Sequence, residues 1–303
     1  MNPAALIEVL AALVLAPALL SVISRTKALV AGRTGAPLLQ PYHDLIKLLR
    51  KSAVYSRTTT WVFRAGPPAG LAALLVAMLL VPLGGVPAAL GFDGDLFVFA
   101  YLLGLLRFFT VIAALDTGSS FEGMGASREV TFAALAEPVL LLALAALARQ
   151  SQSMSLSAMY GHIDVAAWTA TAPFFALVAG ALLAVVLAEN ARVPVDDPTT
   201  HLELTMIHEV MVLDHSGPDL AFILYGSALK LWILGALFVG LVIPVRSGHL
   251  WLDATGGLAG MFVLALVIGV VESTMARWRL IRVPQLLVGA GVMAAVALVL
   301  MLG

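Results

Sequence analysis

The sequence predicts an all-α integral membrane protein: one polytopic domain over residues 1–303, a bundle of about eight transmembrane helices with an amphipathic interfacial helix after the first span. Three observations carry this reading. Hydrophobic residues make up 61% of the chain, charged residues 12%, and the mean hydropathy is +1.01, well outside the range of a soluble domain. Apolar runs long enough to cross a bilayer recur with no long polar stretch between them, which suits helices that satisfy their own backbone in lipid. Runs such as Leu71–Val81 are continuously apolar, whereas a closed β-barrel needs alternation.

Taken in order, spans are expected near 4–24, 68–90, 96–115, 130–149, 168–189, 220–244, 255–273 and 283–302. The first run has no basic residue before it and a basic loop after it, so it is expected to remain as a span. The connection 25–67 holds Arg25, Lys27, Arg33, Lys47, Arg50, Lys51, Arg57 and Arg64. Within it, Pro41–Lys51 sets Tyr42, Leu45, Ile46, Leu48 and Leu49 on one side against Asp44, Lys47, Arg50 and Lys51, the pattern of a helix lying in the membrane interface. Connection 116–129 contains Gly118, Gly123 and Gly125, which do not make a phosphate loop and read as a tight turn into a helix capped by Ser127.

Connection 190–219 is the densest polar segment. Asp197-Pro198 opens a short helix there, expected to run to about Val212. Its acidic residues outnumber its one arginine, Arg192, and its apolar residues imply packing beneath membrane or a partner. His201, His208 and His215 recur every seven residues, but His208-Glu209 lacks the second histidine of the zinc-protease motif. Connection 274–282 adds Arg277, Arg279 and Arg282, while the opposite connections carry only Arg149 and Arg246. This asymmetry puts both termini outside the cytoplasm, in the cytoplasmic membrane of a bacterium or archaeon, and nothing in the chain suits nucleic acid.

The chain has no cysteine, which removes iron–sulfur clusters, c-type haem and thiolate zinc sites from this subunit. Electron transfer would then occur in partner chains. Ionisable residues at membrane depth are the stronger signal, because each costs at least ~2.5–3.5 kcal/mol at the bilayer centre. Glu137 lies inside the fourth span before Pro138, with Glu129 eight residues earlier, on about the same face and about 12 Å along the axis. The two are candidate stations of one proton path. Arg107 and Lys230 are the nearby cations, and Glu189 and Glu272 close two further spans. Any one pair can equally be a structural ion pair; the whole set favours a path. Glu8 is expected to snorkel to the interface.

Leu38-Leu39-Gln40-Pro41, Asp44, Lys47-Leu48-Leu49, Ser127-Arg128-Glu129-Val130, Ala188-Glu189, Arg192-Val193-Pro194, Asp196, Pro198, Glu203-Leu204 and Ser216-Gly217 together resemble the complex I subunit 1 family. That family includes the corresponding membrane subunit of bacterial NADH-quinone oxidoreductase and its counterparts in membrane-bound NiFe hydrogenases. The resemblance spans essentially the whole chain. It implies an eight-helix subunit that docks a hydrophilic redox arm and passes protons toward antiporter-like subunits through buried carboxylates; Glu129, Glu137, Glu189 and Glu203 fall at the family's positions. Asp116 to Ser120 and Gly123 to Val130 look like the hydrogenase branch, with formate hydrogenlyase and hydrogenase-4 membrane subunits. Thr199 and His201 stand where quinone-reducing members carry glutamates, which puts quinone binding in doubt.

The resemblance therefore implies a membrane-anchoring, proton-conducting subunit without a redox centre of its own. A NiFe centre and iron–sulfur clusters are expected in partner large and small subunits on the cytoplasmic side. The expected path comprises Glu129, Glu137, Glu189, Glu203 and Glu272 with Arg107 and Lys230. The expected redox-arm interface comprises Asp44, Lys47, Asp116, Glu122, Arg128, Arg192, Asp196, Asp197 and Glu209. A quinone-reducing complex I subunit and a passive anchor are the competing readings.

Overall fold

A computed structural model describes residues 3–196, 207–244 and 246–302. The described residues form helices and connections with no strand: α1 (Pro3–Val30), α2 (Gln40–Leu49), α3 (Trp61–Leu79), α4 (Asp95–Asp116), α5 (Ser120–Ser151), α6 (Leu156–Gly161), α7 (Val165–Ala170), α8 (Ala172–Glu189), α9 (Gly217–Val242), α10 (Leu250–Thr274) and α11 (Arg282–Leu300). Eight of them, all but α2, α6 and α7, are long and apolar enough to cross a membrane. Eight crossings return the chain to its starting side. The side bearing the basic connections is called the basic face below, and the other the terminal face.

Helix α9 is the most enclosed, with 67% of its apolar window buried, and it packs against α1, α3, α8 and α10. Large apolar side chains left outside, such as Tyr101, Phe108 and Val292, are what a lipid-facing surface requires. Small residues let the helices approach: a methyl group added at Gly66 of α3 would lie 2.9 Å from the Ala113 side chain and 3.3 Å from the Phe109 carbonyl of α4. Helix α2 buries no residue, and Tyr42 donates from it to the Val14 carbonyl of α1 at 2.5 Å.

The largest differences from the sequence reading fall at three elements, each for a local reason. The second crossing starts at Trp61 and runs through Pro67 and Pro68, because Thr60 caps it and the Asp116 carboxylate accepts from the Thr60 and Phe63 backbone N–H groups at 2.6 and 3.3 Å. It ends at Leu79, ahead of Pro82, Gly84 and Gly85. The fourth crossing starts at Ser120, and Ser127 lies inside α5, where its carbonyl accepts from Thr131. Of the helix expected over 198–212, residues 198–206 lie outside the described residues, and Glu209–Val212 forms a single 3-10 turn.

Candidate functional site

In α4 the buried positions Leu96, Phe99, Leu103, Arg107 and Ala114 follow one helical stripe, so the sequence places the Arg107 guanidinium among core positions. It is 9% exposed and meets three carboxylates. Nε contacts Glu129 Oε1 at 3.3 Å, Nη1 contacts Glu137 Oε1, and Nη2 contacts Glu189 Oε1 at 2.5 Å. The other Glu189 oxygen is ion-paired with Lys230 Nζ at 2.8 Å. The other Glu129 oxygen lies 3.1 Å from His208 Nδ1. The result is a branched chain, His208–Glu129–Arg107–Glu189–Lys230 with Glu137 on the Arg107 branch, built from α4, α5, α8, α9 and the 207–212 segment.

Among the described residues, three carboxylates thus face an arginine, a lysine and one histidine, so their formal charge is zero with one proton on His208 or on a carboxyl and minus one without it. Glu137 differs from the others because its side chain is 46% exposed, half open on the flank of the bundle.

Glu272 sits elsewhere. Its fully buried side chain takes Lys27 at 3.0 Å and Arg192 at 3.4 Å, so its partners belong to α1 and the 190–196 connection, not to the Arg107 cluster. Two of the expected interface residues turn inward. Glu122 is 1% exposed and accepts from the Asp214 N–H, and Asp196 is 4% exposed, paired with Arg277 at 2.8 Å. Both lie under the polar connections and fasten them to the bundle. Asp116 is a helix cap. Asp44 and Lys47 are exposed on α2, and Arg128 and Glu209 are half-buried. Asp197, Glu203 and His201 lie outside the described residues.

His208 and His215 are drawn apart. His215 stacks on Phe63 with ring centroids 3.9 Å apart and planes 7° from parallel, and burial holds its pKa down at about 4, against 6.5 for a free histidine. Between those values the unfolded chain binds the extra proton, so stability is full above about 6.5 and falls as pH drops toward about 4. The loss amounts to at most about 3 kcal/mol. In thermal unfolding, His215→Phe, which keeps the stack, is expected to flatten the acid-side fall in Tm; equal slopes in variant and parent would contradict this origin.

Sequence reasoning missed Lys27 as a partner of Glu272, and Asp95, which is fully buried and accepts from Leu156 N–H at 2.6 Å and Ser155 Oγ at 2.9 Å. Both contacts join distant parts of the chain and leave no local pattern. Among the described residues, no group of three or more His, Asp or Glu is arranged to hold a metal.

The NADH dehydrogenase family profile matches residues 4–303. The chain is 31% identical over 287 residues to formate hydrogenlyase subunit 4 of Escherichia coli (strain K12), covering 93% of this chain and 92% of that protein. It is 29% identical over 285 residues to hydrogenase-4 component C of the same organism, covering 92% and 89%. A subunit of the membrane-bound sulfane sulfur reductase, an archaeal respiratory membrane complex, has the same fold, with a TM-score of 0.82, 20% identity and 98% of each chain covered.

Proposed function

This chain belongs to the NADH dehydrogenase family, in its complex I subunit 1-like group, and on that premise we propose that it is the membrane-anchoring, proton-conducting subunit of a NiFe hydrogenase complex of the formate hydrogenlyase type. The basic face would be cytoplasmic and carry the redox arm with its large and iron–sulfur subunits. Antiporter-like membrane subunits would adjoin the flank on which Glu137 opens.

The observation that carries this reading is the Arg107 cluster, one proton from neutrality and open at Glu137. A cluster that alternates between two charge states can take a proton at one end and release it at another without a large net charge in low dielectric. His208 is the member on the polar connections and Glu137 the most exposed member, on the flank, so the expected transfer runs from the basic face to the flank. Asp44 and Lys47 on α2 remain available to the redox arm.

The test is Glu137→Gln in sealed vesicles carrying the whole complex. Subunit composition is expected to be unchanged, because the neutral amide still accepts from Arg107. The number of protons translocated per hydrogen evolved is expected to fall about tenfold or more. An unchanged ratio would overturn the role of Glu137, and loss of the partner subunits would mark it as a structural residue instead.

A further inference from the structure

Toward the terminal face, α1 carries a carboxyl that the Arg107 cluster does not use. Glu8 is partly buried and turns one carboxylate oxygen inward. It lines a cavity of about 20 Å³ between α1, the 80–90 connection and α9, with Ala12, Met78, Leu83, Trp232 and Ile233 around it. Its Oε1 is buried with no hydrogen-bond partner among the described residues. The volume is enough for about one water. Among the described residues, no other charged or titratable side chain lines the cavity. Around it, α9 offers Lys230, already paired with Glu189. α10 offers Asp253, held by the Ser247 N–H and hydroxyl at 2.8 Å. The connection between α9 and α10 offers Arg246, which donates to the Tyr160 carbonyl.

The position of this cavity along the bundle matters. Tyr225 of α9 donates to the Leu13 carbonyl of α1 at 2.8 Å, which fixes the register of the two helices. The cavity then meets α9 at Trp232 and Ile233, and Ile233 lies three residues past Lys230, about 4.5 Å along the axis. On its other side, Leu83 and Pro87 form a shared wall with a second cavity of about 110 Å³, lined by Ser157, Tyr160 and Arg246. The Tyr160 side chain is 2% exposed and its hydroxyl has no partner among the described residues. One layer of side chains separates Glu8 from a space with room for several waters.

We propose that Glu8 is a second proton site, on the half of the membrane away from the Arg107 cluster, which receives protons from the Lys230 end of that cluster and exchanges them with the terminal face through the cavity under Tyr160. This rests on the proton-conducting reading above. A carboxyl with no cation beside it is tolerated in such a place when it carries the proton, and gives it up only to water that enters the cavity. Only O–H bonds are made and broken.

Two measurements on the whole complex test the site. Dicyclohexylcarbodiimide reacts with protonated carboxyls in apolar surroundings, so mass spectrometry after treatment at neutral pH is expected to find the adduct on Glu8, diminishing as pH is raised. Glu129, Glu189 and Glu272, each ion-paired, should stay unmodified. In sealed vesicles, Glu8→Gln is expected to lower protons translocated per hydrogen evolved by the share that leaves through the terminal face, with partial recovery in Glu8→Asp. Absence of the adduct, or an unchanged ratio in Glu8→Gln while Glu137→Gln lowers it, overturns the Glu8 site alone. An unchanged ratio in both variants overturns proton conduction by this chain and the Glu8 site with it.

Discussion

Arg107→Leu is expected to leave little folded chain in the membrane. The guanidinium meets Glu129, Glu137 and Glu189 at once, and its removal leaves three carboxylates against Lys230 and His208. Removing one partner of a buried pair costs about 3–5 kcal/mol, and here one side chain serves three, against a total stability of about 5–15 kcal/mol. Arg107→Lys should rescue poorly, since a single ammonium cannot reproduce a planar fork that reaches three carboxylates. Combining Arg107→Leu with Glu129→Gln and Glu189→Gln should restore much of the yield, because neutral side chains no longer require a counter-charge. Yield in membranes and Tm of the purified chain measure all of these. Parent-like stability in Arg107→Leu alone would show that the cluster does not hold the helices together.

The second large effect is expected at Gly125. A methyl group there would run into Val210 Cγ1 and lie 2.9 Å from Met211 Cγ and 3.0 Å from the Ile207 carbonyl. Gly125→Leu must therefore lift the 207–212 segment off α5, breaking the Ile207 N–H bond to Asp196 and the His208 contact with Glu129. Overpacking of this kind costs about 1–3 kcal/mol, too little to prevent the eight crossings from forming. The expected result is a chain that inserts and folds yet no longer co-purifies with the redox subunits proposed above to sit on the basic face. Normal co-purification would place the docking surface elsewhere.

The eight-crossing plan was legible because lipid imposes length and hydropathy on every span, and those are local properties. The ends of the helices were less so. Thr60 could be read as a cap only by knowing that Asp116 comes back to meet it from the end of α4. Likewise Gly125 looks like a loop glycine until the 207–212 segment is laid against it. At the site, Arg107, Glu129, Glu137, Glu189 and Lys230 were found from their cost in lipid, and the structure brings them together. The same reasoning grouped Glu272 with them, although its neutralisation by Lys27 and Arg192 follows from helix placement that hydropathy does not encode. It also could not foresee that one oxygen of Glu8 turns inward, since a position close to a helix end says nothing of which neighbour the side chain faces.

Helix α5 has one more consequence, a mechanical one. Its 32 residues span about 48 Å, against a hydrocarbon thickness of about 30 Å, so it overhangs the bilayer as a stiff rod. Val210 and Met211 press on the overhang at Gly125, and Glu129 and Glu137 ride on the same rod, with Pro138 placed one residue beyond the last of them. A push on the 207–212 segment is therefore delivered first to Glu129, and the first joint able to absorb it is the turn before Pro138, whose missing N–H leaves the Ala134 carbonyl without its helical donor, between the two carboxylates.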